Sequence, residues 1–198
     1  MRAELSVIGV DLAGVPHRPT GLCFLCEWMA RTFLFYSDKD ILDAIKGEKP
    51  RLVTIDAPLS LPPGRTSIHQ KNGEHFRPCD LELRKRKIPF FPITLGPMRL
   101  LTERGMRLKG ETERIGFPMV EIYPGGAQDI WKIPRAKQNK ERLREGLRRL
   151  GIRGLRKDCS FHELDAATAA LVGLFYLQGK AEVYGDFSSG AIVMPKPV

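Results

Sequence analysis

Three aspartates stand where a charged side chain is hardest to accommodate. Asp11 ends the run Ser-Val-Ile-Gly-Val, Asp56 ends Leu-Val-Thr-Ile, and Asp165 lies in His-Glu-Leu-Asp-Ala-Ala-Thr-Ala-Ala-Leu-Val. Each sits in or at the end of an apolar stretch, and no Lys or Arg is next to any of them. A buried carboxylate costs several kcal/mol unless it is hydrogen-bonded, paired or metal-bound. One such Asp would read as a loop acceptor; three of them, all against core segments, point to a divalent cation. Oxygen ligands of this kind suit Mg²⁺ or Mn²⁺. Paired ions in such a site activate water and stabilise the leaving oxygen of a phosphodiester.

Two further residues belong with this group. His162 lies three positions before Asp165 and shares its helical face, where it can carry a proton or ligate metal. Glu163, on the other side of the helix, is better used as a cap. Glu121, in Met-Val-Glu-Ile-Tyr, reads equally as a ligand, a support for one, or a solvent-facing residue. The candidate catalytic set is therefore Asp11, Asp56, Asp165, His162 and Glu121, with the first three as metal ligands.

The elements that must position these side chains follow from periodicity. Residues 5–13, 20–27 and 31–36 read as three strands of an antiparallel meander. Asp38 to Lys46 is helical, with Ser37 as N-cap and Gly47 as its stop. Residues 51–57 read as a strand covered on both faces. Asp11 shares a strand face with Val7 and Gly9, and Asp56 shares one with Leu52 and Thr54. Both lie at carboxyl ends of strands, where α/β sheets place ligands.

Residues 58–118 form a Pro-rich insertion or lid, with short helices expected at 77–87 and 100–109 and prolines blocking regular structure until Met98. A strand over 118–123, a turn at Tyr-Pro-Gly-Gly and a basic helix over 136–150 follow. The last helix starts at a Ser160/Glu163 capping box and ends at Gly179. It is apolar all round, as a helix packed flat on a sheet must be. The fold class is α/β: a mixed sheet, antiparallel meander plus parallel strands, with helices on both faces, in one domain of 198 residues.

The formal charge is +9. Between Arg77 and Lys157 stand 21 Lys/Arg against 9 Asp/Glu, whereas the remainder holds 11 against 14. Such asymmetry fits a polyanion, and nucleic acid (DNA or RNA) is the expected partner, with a well-solvated or heat-adapted Arg-rich surface as the alternative. Arg77, Arg84, Lys85, Arg86 and Lys87 in the insertion, with Arg142, Arg148 and Arg149 on the basic helix, are the candidate phosphate contacts. Core packing is expected of Phe90 and Phe91, with base stacking as the alternative. No apolar run reaches membrane-spanning length and the N-terminus has no signal-peptide layout, so a soluble cytoplasmic protein without membrane contact is expected. The four cysteines form no framework; the Cys23/Cys26 pair lies in a strand, which rules against a zinc knuckle.

The joint pattern Gly9-Val-Asp-Leu-Ala-Gly14, Ile55-Asp-Ala-Pro-Leu-Ser-Leu-Pro62, Arg77-Pro-Cys-Asp80, Phe90-Phe-Pro92, Glu121-Ile-Tyr-Pro-Gly125, His162-Glu-Leu-Asp-Ala-Ala167 and Tyr184-Gly-Asp-Phe-Ser-Ser-Gly190, with Pro195, resembles domain-of-unknown-function family 429, described as predicted RNase H-like nucleases. The His-x-x-Asp helix is also similar to the last ligand helix of RuvC-type junction resolvases. The resemblance implies an RNase H-like fold and a divalent-metal-dependent nuclease with Asp11, Asp56 and Asp165 as ligands. RuvC-like enzymes carry Glu where Asp56 stands, a shorter reach here. The alternative function is a catalytically inactive nucleic-acid- or partner-binding module of the same fold. A sugar-kinase-like phosphotransferase is disfavoured, because it needs two copies of this core and phosphate-binding glycine loops.

Overall fold

The computed structural model describes residues 5–197, so the N-terminal Met-Arg-Ala-Glu lies outside it. Strands β1 (Ser6–Asp11), β2 (Thr20–Cys26) and β3 (Met29–Phe35) form the expected meander. Helix α1 (Asp38–Glu48) leads to β4 (Leu52–Asp56), which runs parallel to β1. Next come α2 (Pro78–Lys85), α3 (Gly96–Arg114) and β5 (Met119–Glu121), parallel to β4. Helices α4 (Pro124–Ile130), α5 (Lys140–Arg149) and α6 (Phe161–Leu177) follow, and the hairpin β6 (Ala181–Asp186) and β7 (Gly190–Pro195) ends the described chain. The five-stranded sheet has the order β3-β2-β1-β4-β5. This meander joined to parallel strands, with helices on both faces, is the mixed α/β sheet expected from the sequence.

The two faces bury separate cores. On one side Ile41 and Ile45 of α1 and Leu108 of α3 pack on Ile8, Val10, Val53 and Ile55. On the other, α6 lies against Val7 and Leu52, and Leu143 and Leu147 of α5 close over it. Residues 58–118 are therefore partly core: α3 covers the sheet, while α2 sits on the hairpin through Cys79, Leu83, Tyr184 and Ile192.

Helix α6 approaches the sheet so closely that backbone meets backbone. A Cβ on Gly9 would fall inside van der Waals contact of the Ala166 carbonyl oxygen, and one on Gly21 would strike the His162 carbonyl. Thr54 Oγ1 donates to the Ala169 carbonyl at 2.9 Å across the same gap. Gly9→Ala is expected to destabilise the protein by about 1–3 kcal/mol, a melting-point drop of roughly 2–12 °C for this size. Gly47→Ala, on an open helix surface, is the control for calorimetry. Equal melting points for the two variants would mean that α6 does not depend on this close approach.

Three boundaries differ from the sequence expectations. Helix α1 runs past Gly47 to a left-handed Lys49, at φ 47°, because Pro50 is what stops it. Pro97 and Pro124 are first-turn residues of α3 and α4. There a missing N–H is no loss, so prolines read as breakers are starters. The basic helix is shorter than 136–150, because the Asn139 side chain caps it by accepting from Arg142 N at 3.0 Å. The β6–β7 hairpin was not expected; among the described residues it joins the sheet by the Ile122–Val193 bridge beside β5.

Candidate active site

The parallel register sets Asp11 directly beside Asp56, about one strand spacing (~4.8 Å) apart at Cα. Both lie on the face toward α6, since Gly9 and Thr54 on the same strand faces touch that helix. Helix α6 brings His162 and Asp165 to the same end. His162 Nδ1 is 2.6 Å from Asp11 Oδ2, with both side chains mostly buried. Asp165 Oδ1 accepts from Gln128 Nε2 at 2.7 Å, and that amide also reaches Thr168 Oγ1 at 3.1 Å.

Asp56 is the residue without such a partner. Among the described residues no hydrogen bond reaches its carboxylate, which opens on a cavity of about 500 Å³. Burial, and then the charges of Asp11, Asp165 and Glu121, push its pKa well above the usual carboxylate value. Asp165 rises to about 7, through burial and the Asp11 charge, against the pull of Gln128, His162 and Lys137. The three aspartates thus repel one another through a poorly solvated space.

Glu121 has another role. Arg77, 1% exposed, donates from its Nη1 and Nη2 to the two Glu121 oxygens at 2.7 and 2.8 Å. Its Nε and Nη2 also donate to Asp80 at 3.1 and 2.8 Å, and Leu59 N donates to Glu121 Oε2 at 2.8 Å. Burial raises the pKa of Glu121 while Arg77 opposes the rise. Arg77 borders the cavity but is buried, with its guanidinium committed to Glu121 and Asp80, which corrects its assignment as a surface contact. Glu121 is held by Arg77 and lines the cavity beside Asp56.

The remaining cations divide by place. Lys85 and Arg86 pair with Glu82, Arg86 also stacks on Tyr184 at 4.2 Å, and Arg84 lies over Phe76 at 5.7 Å. Lys87 is exposed and left-handed at φ 57°. Arg142, Arg148 and Arg149 are exposed on α5. Gly151, just past that helix, packs on Trp28 in the β2–β3 turn, at the Ser6 end of the sheet. Five strand steps of ~3.3 Å, roughly 17 Å, separate that end from Asp11. The end of α5 that carries Arg148 and Arg149 therefore lies far from the carboxylates.

Sequence patterns missed several residues here. Gln128, 1% exposed, lies in a seven-residue helix too short to show periodicity. Lys137 and Arg135 line the cavity from the loop after α4; Lys137 falls at the start of the expected basic helix over 136–150 and Arg135 just before it. Arg135 pairs with Asp129 and donates to Tyr123 Oη at 3.2 Å. Phe91 is 72% exposed and lines the cavity instead of packing in the core.

No three His, Cys, Asp or Glu side chains among the described residues stand together in a way that would hold a metal ion. The donor chemistry nonetheless fits a hard divalent cation, because the Asp56 carboxylate, without a hydrogen-bond partner among the described residues, feels the charges of Asp11 and Asp165. No helix among the described residues is long and apolar enough to cross a membrane.

No family model and no curated protein matches the chain. Among solved structures it is similar to Thermus thermophilus RuvC in complex with a Holliday junction substrate, at 15% identity and a TM-score of 0.48. It is also similar to the T. thermophilus RuvC structure, at 14% identity and 0.46. Each comparison covers 88% of this chain and 96% of the other.

Proposed function

We propose that the protein is a divalent-metal-dependent nuclease of RNase H-like fold, related to the predicted nucleases of family 429 that its motifs resemble. The carrying observation is the Asp11–Asp56 pair at the strand ends, with the unpartnered Asp56 carboxylate raised in pKa by burial first and then by the charges of Asp11, Asp165 and Glu121. Asp11, Asp56 and Asp165 would hold Mg²⁺ or Mn²⁺. When bound, such an ion supplies Lewis acidity and charge neutralisation to a phosphodiester.

The chain's own residues do the rest. A carboxylate only accepts, so His162 donates from Nδ1 to Asp11 and keeps the Nε2 lone pair free to take a proton. Asp11 in turn fixes the ring's orientation. Gln128 holds Asp165 by one oxygen and leaves the other for the site. Lys137, whose charge Asp165 already feels, stands at the mouth to meet a phosphate. The excess cation elsewhere would draw a polyanion to the surface without reading its sequence.

Asp11→Asn is expected to reduce Mn²⁺-dependent cleavage of DNA or RNA to the metal-free background, while the circular dichroism spectrum and salt-dependent polyanion binding stay near wild type. Cleavage that survives in the variant would reject the assignment. A second reading, a binding module of the same fold without chemistry, is favoured by one observation. Asp11 and Asp165 each already have a local partner, and among the described residues no three ligands converge. That reading predicts no turnover with any divalent ion, and binding that weakens steeply with salt.

A further inference from the structure

The cavity beside Asp56 and Asp165 is built differently from a groove for a double helix. Its volume, about 500 Å³, falls in the ~300–1,000 Å³ range of small-ligand sites. Its walls include Phe90, Phe91, Met98 and Leu101 from the connection into α3 and that helix's first turns, with Ile192 from the β7 hairpin. A duplex backbone offers phosphates and sugars, which gain nothing against such walls. The flat face of an unpaired base does, because stacking on aromatic and apolar side chains tolerates any base. Phe91 is the large side chain left bare there. On the polar side the same space meets Asp56, Asp165 and Lys137, and Lys137 has no ion-pair or hydrogen-bond partner among the described residues.

We propose that this cavity seats one unstacked nucleotide, its base among the apolar walls and its phosphate toward Asp56, Asp165 and Lys137. The inference rests on the nuclease reading for the cation that would meet that phosphate, and it narrows the substrate to an unpaired nucleotide unit. The same chemistry is offered by a strand end, an everted nucleotide within a strand, or a free mononucleotide.

The test is fluorescence of 2-aminopurine with the full chain in Ca²⁺. The probe is placed at the end of a single strand, within it, within a fully paired duplex, or supplied as the free monophosphate. A change in emission with an unpaired probe, and little with the duplex, is expected. The arm that responds most strongly identifies the source. Phe91→Ala, at an exposed position that folding does not need, should weaken binding of that probe by about 5- to 150-fold, the equivalent of one lost base–aromatic stack. Met98→Trp, checked for folding by circular dichroism, should fill the space and abolish the signal.

Duplex binding as tight as single-strand binding, with Phe91→Ala within twofold of wild type on both, would overturn the seat. Mn²⁺-dependent cleavage measured beside this titration on the wild-type protein separates the two claims. Cleavage without a 2-aminopurine response would overturn the seat and leave the nuclease standing. A response without any metal-dependent cleavage would support the seat and sink the nuclease.

Discussion

Asp56→Asn is expected to make the metal-free protein more stable and inactive at once. The folded carboxyl of Asp56 titrates well above its ordinary value, and Asp165 titrates at about 7. An acid raised by folding contributes its full share of stability below its unfolded pKa, near 4. It loses that share as pH climbs through the folded value. The wild-type melting temperature without metal should therefore fall from pH 4 to pH 7 and further above it. Like charges ~4 Å apart repel by roughly 4 kcal/mol at a surface-like dielectric. Neutralising Asp56 removes a desolvated charge beside Asp11 and Asp165 and should raise the melting temperature at pH 8 by a few degrees. Excess Mn²⁺ should raise the wild-type melting point by RT ln(1 + [L]/Kd), about 2.7 kcal/mol at a hundredfold excess over Kd. It should leave Asp56→Asn nearly unmoved. An Asn variant that melts below wild type at pH 8 would show that the carboxylate is locally satisfied, and the cation proposal would lose its physical basis.

The placement of Asp11, Asp56 and Asp165 was legible because strand and helix periodicities are local. Gly9 and Thr54, on the strand faces that carry Asp11 and Asp56, are the residues that touch α6. The capping box fixed the start of that helix: Ser160 N donates to Glu163 Oε2 at 2.8 Å, and Thr32 donates to the same carboxylate. What the letters did not disclose depends on tertiary context. Pro97 and Pro124 have the same covalent constraint whether they break a helix or open one. Arg77 is a surface cation by type, and only the arrival of Glu121 from a strand 44 residues later turns it inward. The hairpin 181–195 was illegible for a related reason. Its buried residues, Tyr184, Ile192 and Met194, are defined by the insertion helix that packs on them.

That dependence makes Arg77 the position where a single change should damage the fold most. Removing one partner of a buried ion pair leaves the other charge unpaired, at a cost of roughly 3–5 kcal/mol. Arg77→Ala leaves both Glu121 and Asp80 in that state, together with a void where the side chain was fully enclosed. The melting temperature should fall by roughly 6–20 °C. The freed Glu121 charge, which already raises the Asp56 pKa, would push that carboxyl further toward its protonated form. Cleavage should therefore decline even below the new melting point. Arg77→Met combined with Glu121→Gln and Asp80→Asn removes all three charges and should recover much of the lost stability. Hydrogen exchange adds a spatial readout, because α2 packs on the β6–β7 hairpin and both would lose protection together in Arg77→Ala. If Arg77→Ala melts within about 2 °C of wild type, the network carries no more than an exposed ion pair would, and α2 must be held to the sheet by its apolar contacts alone.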